Sequence, residues 1–363
     1  MTSNIRAEIE HTTGCITLDR PKALNSLSLE MVRTLTATLL NWRTDPAIQA
    51  VVIRGSTEKA FCAGGDIRFF HQAGTATPQA GSALLEDFFS EEYALNHLIH
   101  FYPKPFIALL DGIVMGGGMG IAQSGPQSRL RLVTERTKMA MPEVNIGLFP
   151  DVGGSYFLSR APGQLGTYLG VTGAVIGAAD ALAAQLADVF VPGAELTGLQ
   201  ALITKYSGAE LRQAIDDYCK PFAQLVDPSA SRLTQHRDAI DLHFSGNSVA
   251  DILQSLAQDH SDFARQTLAL MAQRSPLMMS VTLAQLRRGG NLSVADCLRM
   301  ERTMVRRAFE HGEVLEGVRA VVIDKDNQPK WQPATLAEVT DEMVARFFVP
   351  AWPPAAHPLR DLS

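Results

Sequence analysis

The chain has only four cysteines in 363 residues, Cys15, Cys62, Cys219 and Cys297, and no two form a CxxC pair. That suits a reducing compartment better than a disulfide framework. There is no unbroken apolar run long enough for a membrane span. The most apolar stretch, Phe106–Ala122, is interrupted by Asp111 and by glycines at 112, 116, 117 and 118. The opening residues, MTSNIRAEIE, lack the basic start and apolar run of a secretory leader, so a cytoplasmic location is expected. Positive charge is not in excess: the net charge of −6, with no basic stripe, argues against nucleic-acid and anionic-membrane partners. Several signatures are missing too. No GxGxxG follows a strand, and there is no GxxxxGK loop, HExxH or GxSxG elbow. Nicotinamide, nucleoside-triphosphatase, zinc-protease and serine-hydrolase chemistries are unsupported on that ground. His97 and His100 are three apart on a helix, but without a cysteine or acidic partner they read as surface or packing residues, and no metal is expected.

What remains is a folded chain, 46% hydrophobic and 19% charged, long enough for one large domain with an appendage or two modest ones. Its first third alternates short strand-like and longer helix-like patterns. Cys15–Leu18, Ala50–Gly55 and Lys104–Gly112 read as strands. Leu27–Trp42, with Ser28 as N-cap, and Ser82–His100 read as amphipathic helices, and Gly116–Ser124 as a helix start. Such alternation predicts α/β layering. From about Gly163 onward the pattern turns helical, with helices over Ser280–Gly289 and, capped by Ser293, Ser293–His311. Residues 195–270 are helical and poor in motifs, and the tail is proline-rich.

Two glycine clusters follow two of the strands: Ala63-Gly64-Gly65-Asp66 and Gly116-Gly117-Gly118. Glycine lets the backbone approach a ligand, and free N–H groups there bind an anion. If each cluster turns into a helix, the macrodipole adds to the site. Two such donors aimed at one point are what a thioester enolate or tetrahedral oxyanion requires; tight turns chosen for sterics are the plain alternative. A third segment places Glu143 and Asp151, each directly after a proline (Pro142, Pro150), in an apolar stretch. Carboxyls in such surroundings have raised pKa values suited to acid/base work, although Asp151 could instead cap a helix beginning at Val152.

The segments RPKALNSLSLEM, KAFCAGGDI, HFYPKPFIALLDGIVMGGGMG and MPEVNIGLFPDVGGSYFLSR resemble the crotonase (enoyl-CoA hydratase/isomerase) superfamily in order and spacing. EEYALN (Glu91–Asn96) and EGVRAVVIDKDNQPKWQP (Glu316–Pro333) are similar to its 3-hydroxyisobutyryl-CoA hydrolase branch. The resemblance implies an α/β fold: a crotonase-like ββα spiral core over 1–195 carrying the CoA and active sites, and a mostly helical region over 196–363. It implies hydrolysis of a short 3-hydroxyacyl-CoA to free CoA and the hydroxy acid. The oxyanion donors would be the N–H groups of Gly65 and Gly117, flanked by Gly64 and Gly116. Lys22, Ala23 and Leu24 would line the CoA channel, the Ala63 carbonyl would read the adenine, and Asp66 and Ile67 would line the pantetheine path. Glu143, preceded by Pro142, matches the catalytic glutamate, and Glu92, Gly117, Glu143 and Asp151 match the hydrolase's substrate-contacting set. From the residues alone, Glu92 would sit on a solvated acidic face with Glu86, Asp87 and Glu91. Lys325 and Lys330 offer cations for CoA phosphates.

The resemblance implies no separate cofactor, since coenzyme A enters as part of the substrate, and a homo-oligomer, a trimer or hexamer. One departure separates the chain from hydratases, which place a second catalytic glutamate three residues after the middle glycine; here that position is Gly120. A hydratase or a Δ3-Δ2-enoyl-CoA isomerase is therefore the second reading. A non-catalytic acyl-CoA or RNA-binding scaffold is the third.

Overall fold

The structure, a computed structural model, describes residues 4–79, 81–123, 125–126 and 129–363. Met1 to Ser3 of the N-terminal stretch and Ser124, the end of the second glycine segment, lie outside these residues. By its internal contacts the chain forms two interleaved units. Unit 1 comprises residues 1–65, 95–139 and 176–235; unit 2 comprises 66–94, 140–175 and 236–363.

Unit 1 is built on a six-stranded sheet in the order β1-β2-β3-β5-β7-β9. Its strands are β1 (Ile5–Glu10), β2 (Thr13–Leu18), β3 (Ala50–Gly55), β5 (Phe106–Leu110), β7 (Arg129–Val133) and β9 (Val189–Phe190). Only the β1–β2 pair is antiparallel; the pairs from β2 to β9 are parallel. The central strands account for this. All five residues of β5 and the first four of β3 are buried, as strands covered on both faces must be. In β1 only Ile5 is buried, which fits an edge. Helix α1 (Leu29–Thr44) is capped by the Ser28 hydroxyl, which accepts the Met31 N–H, and buries Met31, Val32, Leu35, Leu39 and Trp42 at helical spacing.

The motif-poor stretch after 195 has a plain task. Helices Leu196–Ile203 and Gly208–Cys219 press Leu199, Ile203, Leu211 and Ile215 onto Val52, Ile107, Leu109 and Leu132 of the sheet. Four such side chains are worth up to about 6–12 kcal/mol of apolar burial. The last strand is held by charge: Arg131 on β7, 1% exposed, grips Asp188 with Nε and Nη2 at 3.0 and 2.9 Å. This paired geometry is what makes so deep a guanidinium tolerable. A second, three-stranded sheet has the order β4-β6-β8, from β4 (Ala60–Cys62), β6 (Ile113–Met115) and β8 (Lys138–Ala140).

After β9 every described element is helical. In unit 2 the helices Pro276–Gly289 and Val294–His311 supply the core. The first packs on helix Leu165–Thr172, where a Cβ on Gly170 would meet Leu286 at 2.9 Å. The second buries Cys297, Leu298, Glu301, Arg302, Met304, Val305 and Ala308. It opens at Ser293 as expected, and the first begins four residues earlier than expected, at Pro276. Two further helices matter for the site: α2 (Ile67–Ala76) and α3 (Ala83–His100), whose residues up to Ala94 belong to unit 2.

Candidate active site

In unit 1 the two glycine clusters come together. Strand β4 leads into Gly64, at φ +97°, where a Cβ would lie 3.0 Å from the Met115 carbonyl oxygen and 3.4 Å from the Gly117 nitrogen. Strand β6 turns at Gly116 (φ 49°, ψ −120°), a conformation that side chains avoid, into the single helical turn α4 (Gly117–Gly120). A Cβ on Gly118 would stand 2.3 Å from the Cys62 carbonyl oxygen, so α4 rests directly on β4. Among the described contacts, the backbone N–H groups of Gly65 and Gly117 donate to no protein acceptor. One expectation is corrected. The first cluster continues through Asp66 into the ten-residue α2, but α4 has four residues, too few for a macrodipole of consequence. The Gly117 amide has no helix macrodipole behind it.

The N-terminal loop is fastened to the same strand end. Asn25, fully buried, donates from Nδ2 to the Ala60 carbonyl at 2.9 Å and accepts the Arg20 N–H on Oδ1 at 2.9 Å. Ala63 N–H donates to the Leu24 carbonyl at 3.0 Å, and Leu27 N–H to that of Gly64 at 2.8 Å. Lys22, Ala23 and Leu24 therefore stand beside the first cluster, Lys22 and Leu24 exposed and Ala23 half-buried. Among the described residues the Ala63 carbonyl accepts no backbone hydrogen bond. Asp66 caps α2, its Oδ1 accepting the Phe69 N–H at 3.2 Å, with Ile67 half-buried beside it.

In unit 2 the structure gathers the acids. Glu92, Glu143 and Asp151 are 2%, 6% and 5% exposed, and helix Val294–His311 adds Glu301, 0% exposed. Tyr93 donates its hydroxyl to Asp151 Oδ2 at 2.6 Å. Glu301 accepts the N–H of Gly153 on Oε2 at 2.7 Å and that of Ser155 on Oε1 at 2.8 Å. Glu92 Oε1 and Glu143 Oε2 have no hydrogen-bond partner among the described residues. Burial, reinforced by the Asp151 charge, pushes Glu92 and Glu143 well above the usual carboxylate range. Burial raises Asp151 to about 6, against the pull of the Tyr93 hydroxyl and its own backbone N–H. It raises Glu301 to about 8, opposed by hydrogen bonding from Ser155 and Gly153. Acids held this way can store, accept or deliver a proton near neutral pH.

Local structure explains the placement. Pro142 caps a 3-10 turn, Glu143–Ile146, closed by Gly147 at φ 69°, where a Cβ would strike the Glu313 carbonyl oxygen at 2.5 Å. Asp151 is not a helix cap: the turn Gly154–Phe157 is capped by Gly153, and no side chain caps it. Of the expected solvated acidic face, Asp87 is exposed and Glu91 half-buried, but Glu86 pairs with the buried Arg302 at 2.6 Å and Glu92 faces inward. Lys325 and Lys330 are exposed. Among the described His, Cys, Asp and Glu side chains no group of three is placed to hold a metal ion. Sequence reasoning missed Glu301 and Tyr93. A signal existed for Glu301, which follows Cys297 and precedes Met304 and Val305 on one apolar stripe of its helix.

The family model for enoyl-CoA hydratase/isomerase matches residues 13–348. The 3-hydroxyisobutyryl-CoA hydrolase, mitochondrial, of Xenopus tropicalis is 42% identical over 92% of this chain and 86% of its own. That of Rattus norvegicus is 40% identical over 96% and 89%. Among solved structures, a carnitinyl-CoA dehydratase from Mycobacterium thermoresistibile superposes with a TM-score of 0.87 at 39% identity, covering 97% of this chain and 98% of its own. An enoyl-CoA hydratase from Rhodobacter sphaeroides gives 0.84 at 37%, covering 96% and 98%. The cytoplasmic location expected from the sequence does not stand, because these hydrolase relatives are named as mitochondrial enzymes. Widely spaced cysteines with no CxxC pair do not single out the cytoplasm. The crotonase-like α/β core with its helical C-terminal region, the paired glycine turns and the matches over nearly the full length lead to one assignment: this chain belongs to the enoyl-CoA hydratase/isomerase, or crotonase, family.

Proposed function

We propose that the chain hydrolyses a short 3-hydroxyacyl-CoA thioester, with 3-hydroxyisobutyryl-CoA as its substrate, releasing coenzyme A and the 3-hydroxy acid. The observation that carries this reading is the acid cluster of unit 2, in which Glu143 and Asp151 are buried with raised pKa values. The names of the relatives that are about 40% identical support it. In this reading the amides of Gly65 and Gly117 receive the thioester oxygen as it gains negative charge. Glu143 attacks the carbonyl carbon, expelling the CoA thiolate and leaving a mixed anhydride that water hydrolyses to the hydroxy acid, or it takes a proton from the water that attacks the thioester. Asp151 serves the proton transfers, and Glu92 contacts the substrate's β-hydroxyl. Assigning both groups of residues to one reaction rests on family membership. Lys22, Ala23, Leu24, Ala63, Gly64, Asp66, Ile67, Gly116 and Pro142 keep their proposed places along the CoA and acyl path. A homo-oligomer is likewise part of the proposal.

Hydration is the second reading, favoured by the names of the two structural neighbours. Against it stands Gly120, which puts no carboxylate on α4. Thiol release over a panel of 3-hydroxyacyl-CoA thioesters, with crotonyl-CoA hydration followed in parallel, separates the two. The expected result is rapid thiol release from 3-hydroxyisobutyryl-CoA and slow hydration. Fast hydration without thiol release overturns the hydrolase. Glu143→Gln and Asp151→Asn are expected to lose about 100-fold or more of the thiol release. Hydroxylamine added in a single turnover yields an enzyme-bound hydroxamate only if Glu143 forms a mixed anhydride.

A further inference from the structure

The short segment carrying Asp151 is held by side chains far away in sequence. On its N-terminal side, Gln285, fully buried on helix Pro276–Gly289, donates its Nε2 to the Pro150 carbonyl oxygen and, at 2.8 Å, to Ser155 Oγ. On its C-terminal side, the two oxygens of Glu301 take the Gly153 and Ser155 amides, 148 and 146 residues distant. Ser155 is held by both, its N–H by Glu301 and its hydroxyl by Gln285. Between these attachments lies Val152 at φ 51°, a left-handed conformation that a β-branched residue adopts only under constraint. Gly153 follows at φ 90°. A local cap from Asp151 would ordinarily satisfy such amides, but here they are given to a distant helix, which leaves the Asp151 carboxyl to Tyr93.

We propose that Glu301 and Gln285 are positioning residues for Asp151, two buried polar side chains of the C-terminal helices that hold the backbone on either side of it and so fix where its carboxyl group sits. The proposal rests on the hydrolase reading for its kinetic consequence. Its structural content does not need that reading. Neither residue touches substrate in it, and both act through Asp151. It also gives the C-terminal helices a task beyond covering the core. The strained turn at Val152 persists because its neighbours on both sides are pinned.

Two variants test it in the full-length protein. Glu301→Gln keeps the shape but turns an NH2 group toward one of the two amides, leaving that amide without an acceptor. Gln285→Leu keeps most of the volume and frees the Pro150 carbonyl and the Ser155 hydroxyl. Each is expected to lower kcat for 3-hydroxyisobutyryl-CoA hydrolysis by about 10- to 100-fold with KM within about twofold, as misplacing a reacting group does. A role confined to stability would lower Tm and leave kcat of the folded enzyme intact. A second readout is independent of turnover. The Asp151 carboxyl carbon, assigned by its loss in Asp151→Asn, is titrated by NMR in the wild type and in both variants. A loosened segment admits water, so the midpoint is expected to fall. Unchanged kcat together with an unchanged midpoint in either folded variant overturns the role of that residue. If the wild type releases no thiol from any thioester, the hydrolase reading fails, and the midpoint alone decides positioning: a fall upholds it and no change overturns it.

Discussion

Tyr93 and Asp151, both buried, share a 2.6 Å hydrogen bond in which the phenol donates to Oδ2. The phenol itself is held well above its usual range, by burial first and by the Asp151 charge next, so it stays a donor at neutral pH. The pair fixes which of the clustered acids ionises most readily: Asp151, at about 6, lies below Glu301 at about 8.

Tyr93→Phe removes that donor and leaves the burial. Asp151 then rises further, and the acid limb of kcat/KM for thiol release should move to higher pH by about one pH unit, the worth of one hydrogen bond to a charged group. A pH profile of the variant beside the wild type checks this. An unmoved limb would detach Asp151 from the rate.

Stability should carry the opposite mark of the same acid. Because burial lifts Asp151 from 3.8 to about 6, the folded state binds more protons than the unfolded chain between those values. Stability is therefore lost as pH rises through that window. Asp151→Asn removes the loss, so the variant should gain up to about 3 kcal/mol on the wild type near neutral pH, relative to its standing below the unfolded pKa. Denaturant melts at the two ends of the window measure it. A difference that does not change with pH would contradict it.

Gly118→Ala addresses the backbone donors. Its Cβ would meet the Cys62 carbonyl oxygen at 2.3 Å, a backbone neighbour that cannot rotate away. Lifting α4 off β4 should cost about 1–3 kcal/mol of stability. It should also displace the Gly117 amide, lowering kcat by about 100-fold. Thermal melts and turnover of the folded variant read the two effects, and full kcat would remove this contact from the donor's support.

Much of this was legible in the chain because period and punctuation agreed. Ser28 and Ser293 marked helix starts, and the buried strands β3 and β5 announced themselves as continuous apolar runs. Strand β1 escaped notice because an edge strand with one buried residue reads as a polar segment. Strand β7 was hidden by Arg131, whose burial depends on Asp188, 57 residues away. The glycine clusters and the pair Glu143 and Asp151 could be picked out by composition. Which face Glu92 would turn could not be read from a run of neighbouring acids, though its spacing from Phe88 and Leu95 placed it on the inner stripe. That Glu301 and Gln285 would reach residues 150–155 could not be read from local pattern, since only tertiary packing brings them there.

The acid cluster of unit 2 has one more effect. The charges that act most on Glu92 and Glu143 are those of other acids, Asp151 first. A neutral thioester enters such surroundings without electrostatic penalty, and a hydroxyl on it finds acceptors waiting. Cleavage turns that guest into an anion near the Asp151 carboxylate, which ionises first among these acids. On the proposed chemistry the site then repels what it has made, so the free acid is a poor inhibitor.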